Sequence, residues 1–490
     1  DYVSMKVSAV IGPHNPWAYQ QAVDYAVEAL MPLYRKANSY SPKKFINLDM
    51  EEYHDLHLTI DVFKKILDRE EFKDLKAGIV LQAYLPDSLP AMQDLQAWAA
   101  QRVQNGGSPI KVRVVKGANL SMERVEATVH GWDMVTQPNK ETTDANYIRV
   151  LDWALRPEHT KNVTIGVAGM NLFTVGFAYE LAKKRGILHT DGIEFEMLAG
   201  MATQQAAAVT EDVGHLLFYV PIVNPEEYDV AIAYLVRRLE ENSLPSNFMS
   251  SIFELDQNEA LLQREQDRFS AALSHAFDDP VGPARKQNRL EEGEAEIKAI
   301  VTDEAGNWQF QNTSDSDPSL PANLQWARQI ADSMKDSEKG CLVIEEAAVT
   351  SEDQLQKIVE EAARGGKEWA ARPLQERVDI LHQVGVLLSK RRGELIEVAG
   401  SEAGKTIDQG DVEVSEAADF AHYYAEQANT LHSLPGAKFT PAKVIAVTPP
   451  WNFPMAIPTG GVLAALASGA GVVFKPAREA RRTGAMLAQA

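Results

Sequence analysis

Lys111-Val-Arg-Val-Val-Lys-Gly117 is the stretch whose reading decides the fold. Successive side chains of an extended chain point to opposite faces, so Lys111, Arg113 and Val115 share one face and Val112 and Val114 the other. The alternation recurs across residues 1–255. Ser4, Lys6 and Ser8 oppose Met5, Val7 and Ala9; Asn47 and Asp49 oppose Ile46 and Leu48; Glu194, Glu196 and Leu198 oppose Ile193 and Phe195. Val80, Gln82 and Tyr84 make a matching row. One face packs under helices, while the other carries polar or charged groups on strand after strand. A barrel filled only for stability would place Val, Ile and Leu there. Unpaired buried charges are costly, so Lys6, Asp49, Arg113 and Glu196 must either pair with one another or meet a polar ligand at the carboxyl ends of the strands.

Working outward, seven strands are expected: Ser4–Val10, Phe45–Asp49, Gly78–Tyr84, Lys111–Gly117, Val163–Gly169, Gly192–Leu198 and Leu216–Pro221. Amphipathic stretches separate them, among them Tyr19–Tyr34, Asp55–Leu67, Leu89–Val103, Tyr147–Leu155 and Leu172–Lys184. Strand–helix alternation of this kind is α/β and implies parallel strands, in a doubly wound sheet or a (β/α)8 barrel. The expectation is a (β/α)8-type barrel whose first strand is missing from the chain. After it, residues 256–338 form an acidic linker region, with the cluster Leu290–Glu296 and the turn-rich run Asn312–Ser319. Residues 339–490 are mostly helical at first, with Ser351 as an N-cap, then helices within 375–389, 393–403 and 412–431. They close on a strand–helix–strand unit, Lys443–Thr448, Pro458–Leu466 and Gly471–Phe474, the helical and Rossmann-like opening of a dinucleotide-binding domain that lacks a Gly-x-Gly-x-x-Gly.

Tyr234-Leu-Val-Arg-Arg-Leu-Glu-Glu-Asn242 reads as the second half of a helix with a buried stripe of Val230, Ala233, Tyr234, Leu235 and Leu239. Adjacent Arg237 and Arg238 point about 100° apart, so they cannot both lie on the outer face. They are either a fork for a carboxylate or phosphate, or a solvated pair balanced by Glu240 and Glu241. A formal charge of −21 and a pI near 5.0 argue against a nucleic-acid partner. A single cysteine, Cys341, excludes an internal disulfide framework or a cysteine-rich metal site and reads as a structural thiol. No signal peptide opens the chain, and the low-polarity run from Gly460 to Phe474 is too short to span a bilayer, so a soluble protein is expected.

Ser4-Met-Lys-Val-Ser8, Ile46-Asn-Leu-Asp49, Gln82-Ala-Tyr84, Arg113-Val-Val-Lys-Gly-Ala118, Tyr219-Val-Pro221 and Tyr234-Leu-Val-Arg-Arg238 resemble, in order, the proline dehydrogenase barrel. Glu402-Ala-Gly-Lys-Thr406, Pro450-Trp-Asn-Phe-Pro454 and Phe474-Lys-Pro-Ala477 resemble the start of an aldehyde dehydrogenase. That order is similar to the proline utilization A family, which fuses FAD-dependent proline dehydrogenase to NAD-dependent L-glutamate-γ-semialdehyde dehydrogenase. The resemblance implies that Lys6, Arg237 and Arg238 hold the L-proline carboxylate, that Tyr219 and Leu198 wall its ring, and that Asp49 supports this group. It places Val80, Gln82, Arg113, Lys116, Gly117, Ala118, Asn171 and Glu196 along FAD, with Glu241 and Phe248 at the far end. A bulky Tyr219 favours proline over a hydroxylated analogue.

For the second part the resemblance makes Asn452 the amide that holds an oxyanion. Thr448, Trp451 and Lys475 then edge an NAD cleft, with NADP left open by Arg478. The cysteine nucleophile and glutamate base of that family would lie beyond residue 490. Departures occur at Asn119-Leu120, where the family commonly has aromatics, and at Met170, where a histidine is usual. The family further implies glutamate semialdehyde as the second substrate and a quinone acceptor at a bacterial inner membrane. It also implies a cytoplasmic setting and allows a homo-oligomer. Two other readings stand beside it: a cofactor-free barrel lyase forming a Schiff base on Lys116, and a non-catalytic scaffold.

Overall fold

Seven strands run parallel in chain order: β1 (Tyr2–Lys6), β2 (Phe45–Asp49), β3 (Gly78–Gln82), β4 (Ile110–Val115), β5 (Val163–Ala168), β6 (Ile193–Leu198) and β7 (Leu216–Tyr219). The computed structural model describes residues 2–277, 282–291, 301–302 and 308–490; the side chains of residues 230, 233, 234, 237, 241, 301, 302, 308 and 309 lie outside that description. Register sets Ser4 beside Asn47, Lys6 beside Asp49, Val80 beside Arg113, Ala168 beside Glu196 and Leu198 beside Tyr219. Arg113 on β4 comes within 3.4 Å of Ser4 on β1, and its guanidinium lies 5.5 Å from the Tyr219 ring on β7. Strands three apart in a flat sheet would stand about 14 Å from one another. The sheet therefore curls into a half-barrel with β1 and β7 as its edges.

The expected faces sort as the alternation requires. Leu48, Ile79, Leu81, Val112, Val114 and Ile165 are fully buried in the layer beneath the helices. Helices Tyr19–Asn38, Leu56–Leu67, Ser88–Gln104, Lys140–Ala154 and Leu172–Lys184 follow the strands as crossovers. Three expectations change. The first strand stops at Lys6, where its partner β2 ends, and Val7–Ile11 turns into a short helix that buries Val7 and Ile11 four residues apart. Helices Leu120–His130 and Thr203–Val213 add to the expected set. In the helix Tyr228–Ser243, Leu235 and Leu239 are exposed instead of buried, and the helix packs chiefly against the turns Pro225–Glu227 and Phe248–Ser250.

This first unit comprises residues 1–127 and 133–286, and within it the helix Glu259–His275 packs on Lys140–Ala154. Of the region expected as a linker, residues 278–281, 292–300 and 303–307 fall outside the described residues. The run 312–319 is fixed rather than loose. Ser316 donates from its backbone N–H to buried Asp411 at 2.6 Å, and Thr313 does so to Asp419 at 2.7 Å. Asp411 in turn holds Arg392 at 2.9 Å.

The second unit, residues 128–132 with 287–490, is built on helices Leu374–Lys390 and Ile407–Ser433. Ala417, Ala418, Ala421, Ala425 and Ala428 are fully buried along the longer helix, so small side chains let its neighbours approach closely. Ser351 caps its helix as expected, accepting from the Gln354 N–H. Two histidines meet between the long helices. The Nδ1 atoms of His382 and His422 are 2.8 Å apart, and His382 Nε2 is 3.0 Å from Glu426 Oε1. Burial and the neighbouring His382 push His422 down to about 4. A histidine depressed in the fold adds stability above its unfolded value near 6.5, and that stability is lost as pH falls toward 4. The loss is at most about 3 kcal/mol. Protection against hydrogen exchange in residues 418–426, taken relative to the intrinsic rate at each pH, should fall between pH 7 and pH 4.5, and His422→Gln should flatten that dependence.

Candidate active site

Arg113 is the hub of the half-barrel interior. Its Nε donates to Glu196 Oε2 at 2.5 Å and its Nη1 to Asp49 Oδ1 at 3.1 Å. Lys111 reaches Glu194 and also Glu196, the latter at 2.6 Å. Burial pushes the Asp49 carboxyl up, opposed by a hydrogen bond from Ser4 and by the charges of Arg113 and Lys6. Lys6 makes its ion pair with Glu51, not with Asp49. Of the two sequence readings, mutual pairing describes Asp49, Arg113 and Glu196, whereas Lys6 pairs outside that set, with Glu51. A guanidinium held from both sides is fixed in orientation and desolvated.

Strand β5, between β4 and β6, makes room for this network. A Cβ on Gly166 would collide with Glu196 Oε1 and stand 3.2 Å from the Arg113 Cα. Gly166→Ala should therefore destabilise the barrel by about 1–3 kcal/mol through overpacking, read as a lower denaturation midpoint. An unchanged midpoint would show that Glu196 can move aside freely.

The loops at the carboxyl ends close over the network. Gln82 donates from Nε2 to the carbonyls of Met50 at 3.4 Å and Glu51 at 3.2 Å. Its buried Oε1 has no hydrogen-bond partner among the described residues. Gly117 has φ +116, and a Cβ there would collide with the Tyr84 ring, so only glycine fits this turn. Lys116 Nζ lies 2.7 Å from Asp144, which also holds Lys140 at 2.5 Å. Burial and the nearby Lys140 bring Lys116 down to about 8, against the pull of Asp144. Asp144 and Lys140 line a cavity of about 260 Å³ together with Asn171, Phe248 and Arg268. Asn171 also caps the helix Leu172–Lys184, accepting from the Phe173 N–H at 3.0 Å.

The structure thus puts Lys6, Asp49, Gln82 and Tyr219 at the carboxyl ends of their strands and Val80, Arg113 and Glu196 within theirs, and it sets Asn171 and Phe248 around one cavity beside the Asp144 that holds Lys116. Leu198 ends β6 beside Tyr219, and Ala118 follows Gly117 into the helix Leu120–His130. Arg238 is half-buried on the helix Tyr228–Ser243, while the side chains of Arg237 and Glu241 lie outside the described residues. Sequence reasoning missed Glu51, Glu123 and Asp144. Glu51 carried a signal, an acid just past a strand end; the other two sit on helices, and only loop geometry brings them in.

In the second unit, parallel strands Val444–Val447 and Gly471–Phe474 end side by side. Thr448, Trp451, Asn452 and Lys475 are exposed at their carboxyl ends, where open α/β sheets take their ligands. Behind them Glu413 Oε2 accepts from the Met455 N–H at 2.8 Å, and its other oxygen lies 2.6 Å from Lys405.

Residues 1–251 match the proline dehydrogenase family, and residues 328–490 the aldehyde dehydrogenase family. The Bifunctional protein PutA of Salmonella typhimurium is 27% identical over 97% of this chain and 36% of its own length. The 1-pyrroline-5-carboxylate dehydrogenase 2 of Bacillus subtilis is 32% identical over 28% of this chain and 28% of its own. Among solved structures, proline utilization A from Corynebacterium freiburgense superposes with a TM-score of 0.83 at 41% identity, over 100% of this chain and 45% of that one. The enzyme from Bdellovibrio bacteriovorus, inactivated by N-propargylglycine, gives 0.82 at 25% identity, over 99% of this chain and 51% of that one. The chain spans little more than a third of the curated PutA relatives. More than half of it lies in the first match, so it belongs to the proline dehydrogenase family, followed by an aldehyde dehydrogenase segment in the order of PutA proteins.

Proposed function

We propose that residues 1–255 oxidise L-proline to Δ1-pyrroline-5-carboxylate with FAD, and that residues 339–490 begin an NAD-dependent domain that oxidises glutamate semialdehyde to glutamate. The observation that carries the first part is the Arg113 hub between Asp49 and Glu196 inside the half-barrel, with the strand-end residues Lys6 and Tyr219 on the edge strands. The residues present fit a flavin dinucleotide. Gln82 keeps a buried oxygen with no partner among the described residues, the Gly117 turn admits no side chain, and the cavity by Asn171 and Phe248 carries Lys140 and Arg268 for phosphates, paired here with Asp144 at 2.5 Å and Glu265 at 2.7 Å.

When bound, FAD supplies the hydride acceptor, a reaction that needs no protein nucleophile. Lys6, Arg237 and Arg238 hold the proline carboxylate, fixing the ring by charge-assisted bonds. Tyr219 and Leu198 wall the ring, and Asp49 keeps Arg113 in place. Arg113 offers positive charge where electrons arrive. Lys116 is held by its ion pair with Asp144 at 2.7 Å. The pyrroline product opens with water to the semialdehyde, whose oxygen Asn452 polarises. On the family resemblance, a membrane quinone takes the electrons from the first half, and NAD binds at Thr448, Trp451 and Lys475.

Two measurements test this reading. The full chain, reconstituted with FAD, should be yellow and bleach on adding proline. Arg237→Met should lower kcat/KM for proline-dependent dye reduction by roughly 10²-fold, as loss of a charged hydrogen bond of about 1.5–3 kcal/mol requires. A chain that takes up no FAD, or an Arg237→Met variant as active as the parent, ends the proposal.

A further inference from the structure

Glu123 is the buried acid that the chemistry above leaves unused. It stands in the first turn of the helix Leu120–His130 and is 1% exposed. Its Oε1 accepts from the Tyr53 N–H at 2.8 Å and from the Tyr84 hydroxyl at 3.3 Å. Its Oε2 is buried with no hydrogen-bond partner among the described residues. Tyr53 follows β2, Tyr84 follows β3, and Glu123 itself follows β4. One carboxylate therefore joins three consecutive loops at the end of the barrel where the site lies.

Both tyrosines lead on to groups that face the proposed ligands. The Tyr84 N–H donates to the Lys116 carbonyl at 2.7 Å, and its ring fills the space beside Gly117. Its hydroxyl, anchored on Glu123, fixes where that ring stands, and the ring fixes the turn from Lys116 to Ala118. Tyr53 lies two residues beyond Glu51, whose carbonyl takes hydrogen bonds from Gln82 at 3.2 Å and Asn119 at 2.6 Å. The Glu51 carboxylate is the partner of Lys6. Asn119 stands where aromatics are common in the family, and here it serves this same loop.

We infer that Glu123 is a positioning residue that locks the loops after β2, β3 and β4 together, and so sets both the Lys6–Glu51 pair and the Lys116–Ala118 turn. The inference rests on the reading that these two groups face proline and flavin. A core acid kept only for stability would be an uneconomical choice. Burial and the charges of Glu126 and Glu52 raise its carboxyl to about 6, against the Tyr53 N–H and Arg285. What the acid provides that an apolar residue could not is one acceptor shared by two donors from different loops.

The test compares the full chain with its Glu123→Ala and Glu123→Gln variants. Without added cofactor, hydrogen exchange in Glu123→Ala should quicken at least tenfold in residues 50–55 and 116–119 and stay unchanged in β5 and β6. Glu123→Gln, which keeps an acceptor oxygen, should restore most of the protection. With FAD, Glu123→Ala should bind the flavin at least tenfold more weakly and raise the KM for proline more than it lowers kcat. Unaltered exchange at 50–55, or equal acceleration through every strand in both variants, overturns the inference. So does altered exchange accompanied by parental FAD affinity and KM. A parent chain that takes up no FAD refutes the flavin reading, and the exchange pattern then still decides whether Glu123 locks the loops.

Discussion

Arg113→Met is expected to cost the first unit about 3–5 kcal/mol, because it strands two carboxylates in a dry interior. Asp49 and Glu196 both direct an oxygen at the guanidinium, and the Glu196 side chain is only 2% exposed. Methionine fills similar space without charge, so packing is roughly conserved and the electrostatic loss is isolated. Neither acid is wholly abandoned. Lys111 remains 2.6 Å from Glu196, and Asn47 donates to Asp49 at 3.2 Å, which holds the loss to the range above.

The pH dependence gives a sharper check on Arg113. With the cation gone, less opposes the burial that already pushes the Asp49 carboxyl up in the folded state. Acids raised in this way destabilise the fold increasingly as pH rises through the folded pKa, and cost nothing below the unfolded one. The gap between Arg113→Met and the parent should thus be wide at pH 8 and narrow by pH 4.5. It can be followed by hydrogen exchange in β4 and by denaturant unfolding of the first unit. Adding Glu196→Gln to Arg113→Met should recover part of the loss, and the cycle of four proteins gives the coupling directly. A variant as stable as the parent at pH 8 would mean that water or a shifted lysine already compensates these charges. The interior would then not be the desolvated site described here.

The strands were legible because a period of two is carried by the residues themselves. Ile46 and Leu48 against Asn47 and Asp49 can be arranged in one way only when one face must be buried, and the register followed. For the same reason the interior charges could be listed before their partners were known. The partner of Lys6 could not. Asp49 is its neighbour in register, yet Glu51 reaches the ammonium because the chain bends after β2, and the bend is set by Gln82, Asn119 and Glu123 from other loops. The helix Tyr228–Ser243 failed in the opposite way. Its apolar residues are spaced for burial, but spacing says nothing of what lies opposite, and Leu235 and Leu239 meet solvent. Pattern specifies a face, whereas tertiary contact specifies its partner.

Glu413→Ala carries the second large effect, expected at about 3–5 kcal/mol of the second unit's stability. The Pro450-Trp-Asn-Phe-Pro454 turn has prolines at both ends, which restrict the backbone but cannot aim it. Its aim comes from behind. Glu413 takes the Met455 N–H at 2.8 Å and the Ala456 N–H at 3.3 Å, satisfying the first donors of the helix Ala456–Ala467 with a charge that suits a helix N-terminus. Lys405 pairs with Glu413 at 2.6 Å and also stands 4.7 Å from the centre of the Phe453 ring, so one buried ion pair grips the turn at two points. Alanine would leave two N–H groups unanswered and Lys405 buried without its counter-charge. Lys405→Met together with Glu413→Gln removes the ion pair but keeps an acceptor, and should cost much less than Glu413→Ala alone. Exchange at Met455 and Ala456 should quicken by two orders of magnitude in the alanine variant and little in the double one. Equal losses in the two would show that charge, not hydrogen bonding, aims the turn that presents Asn452.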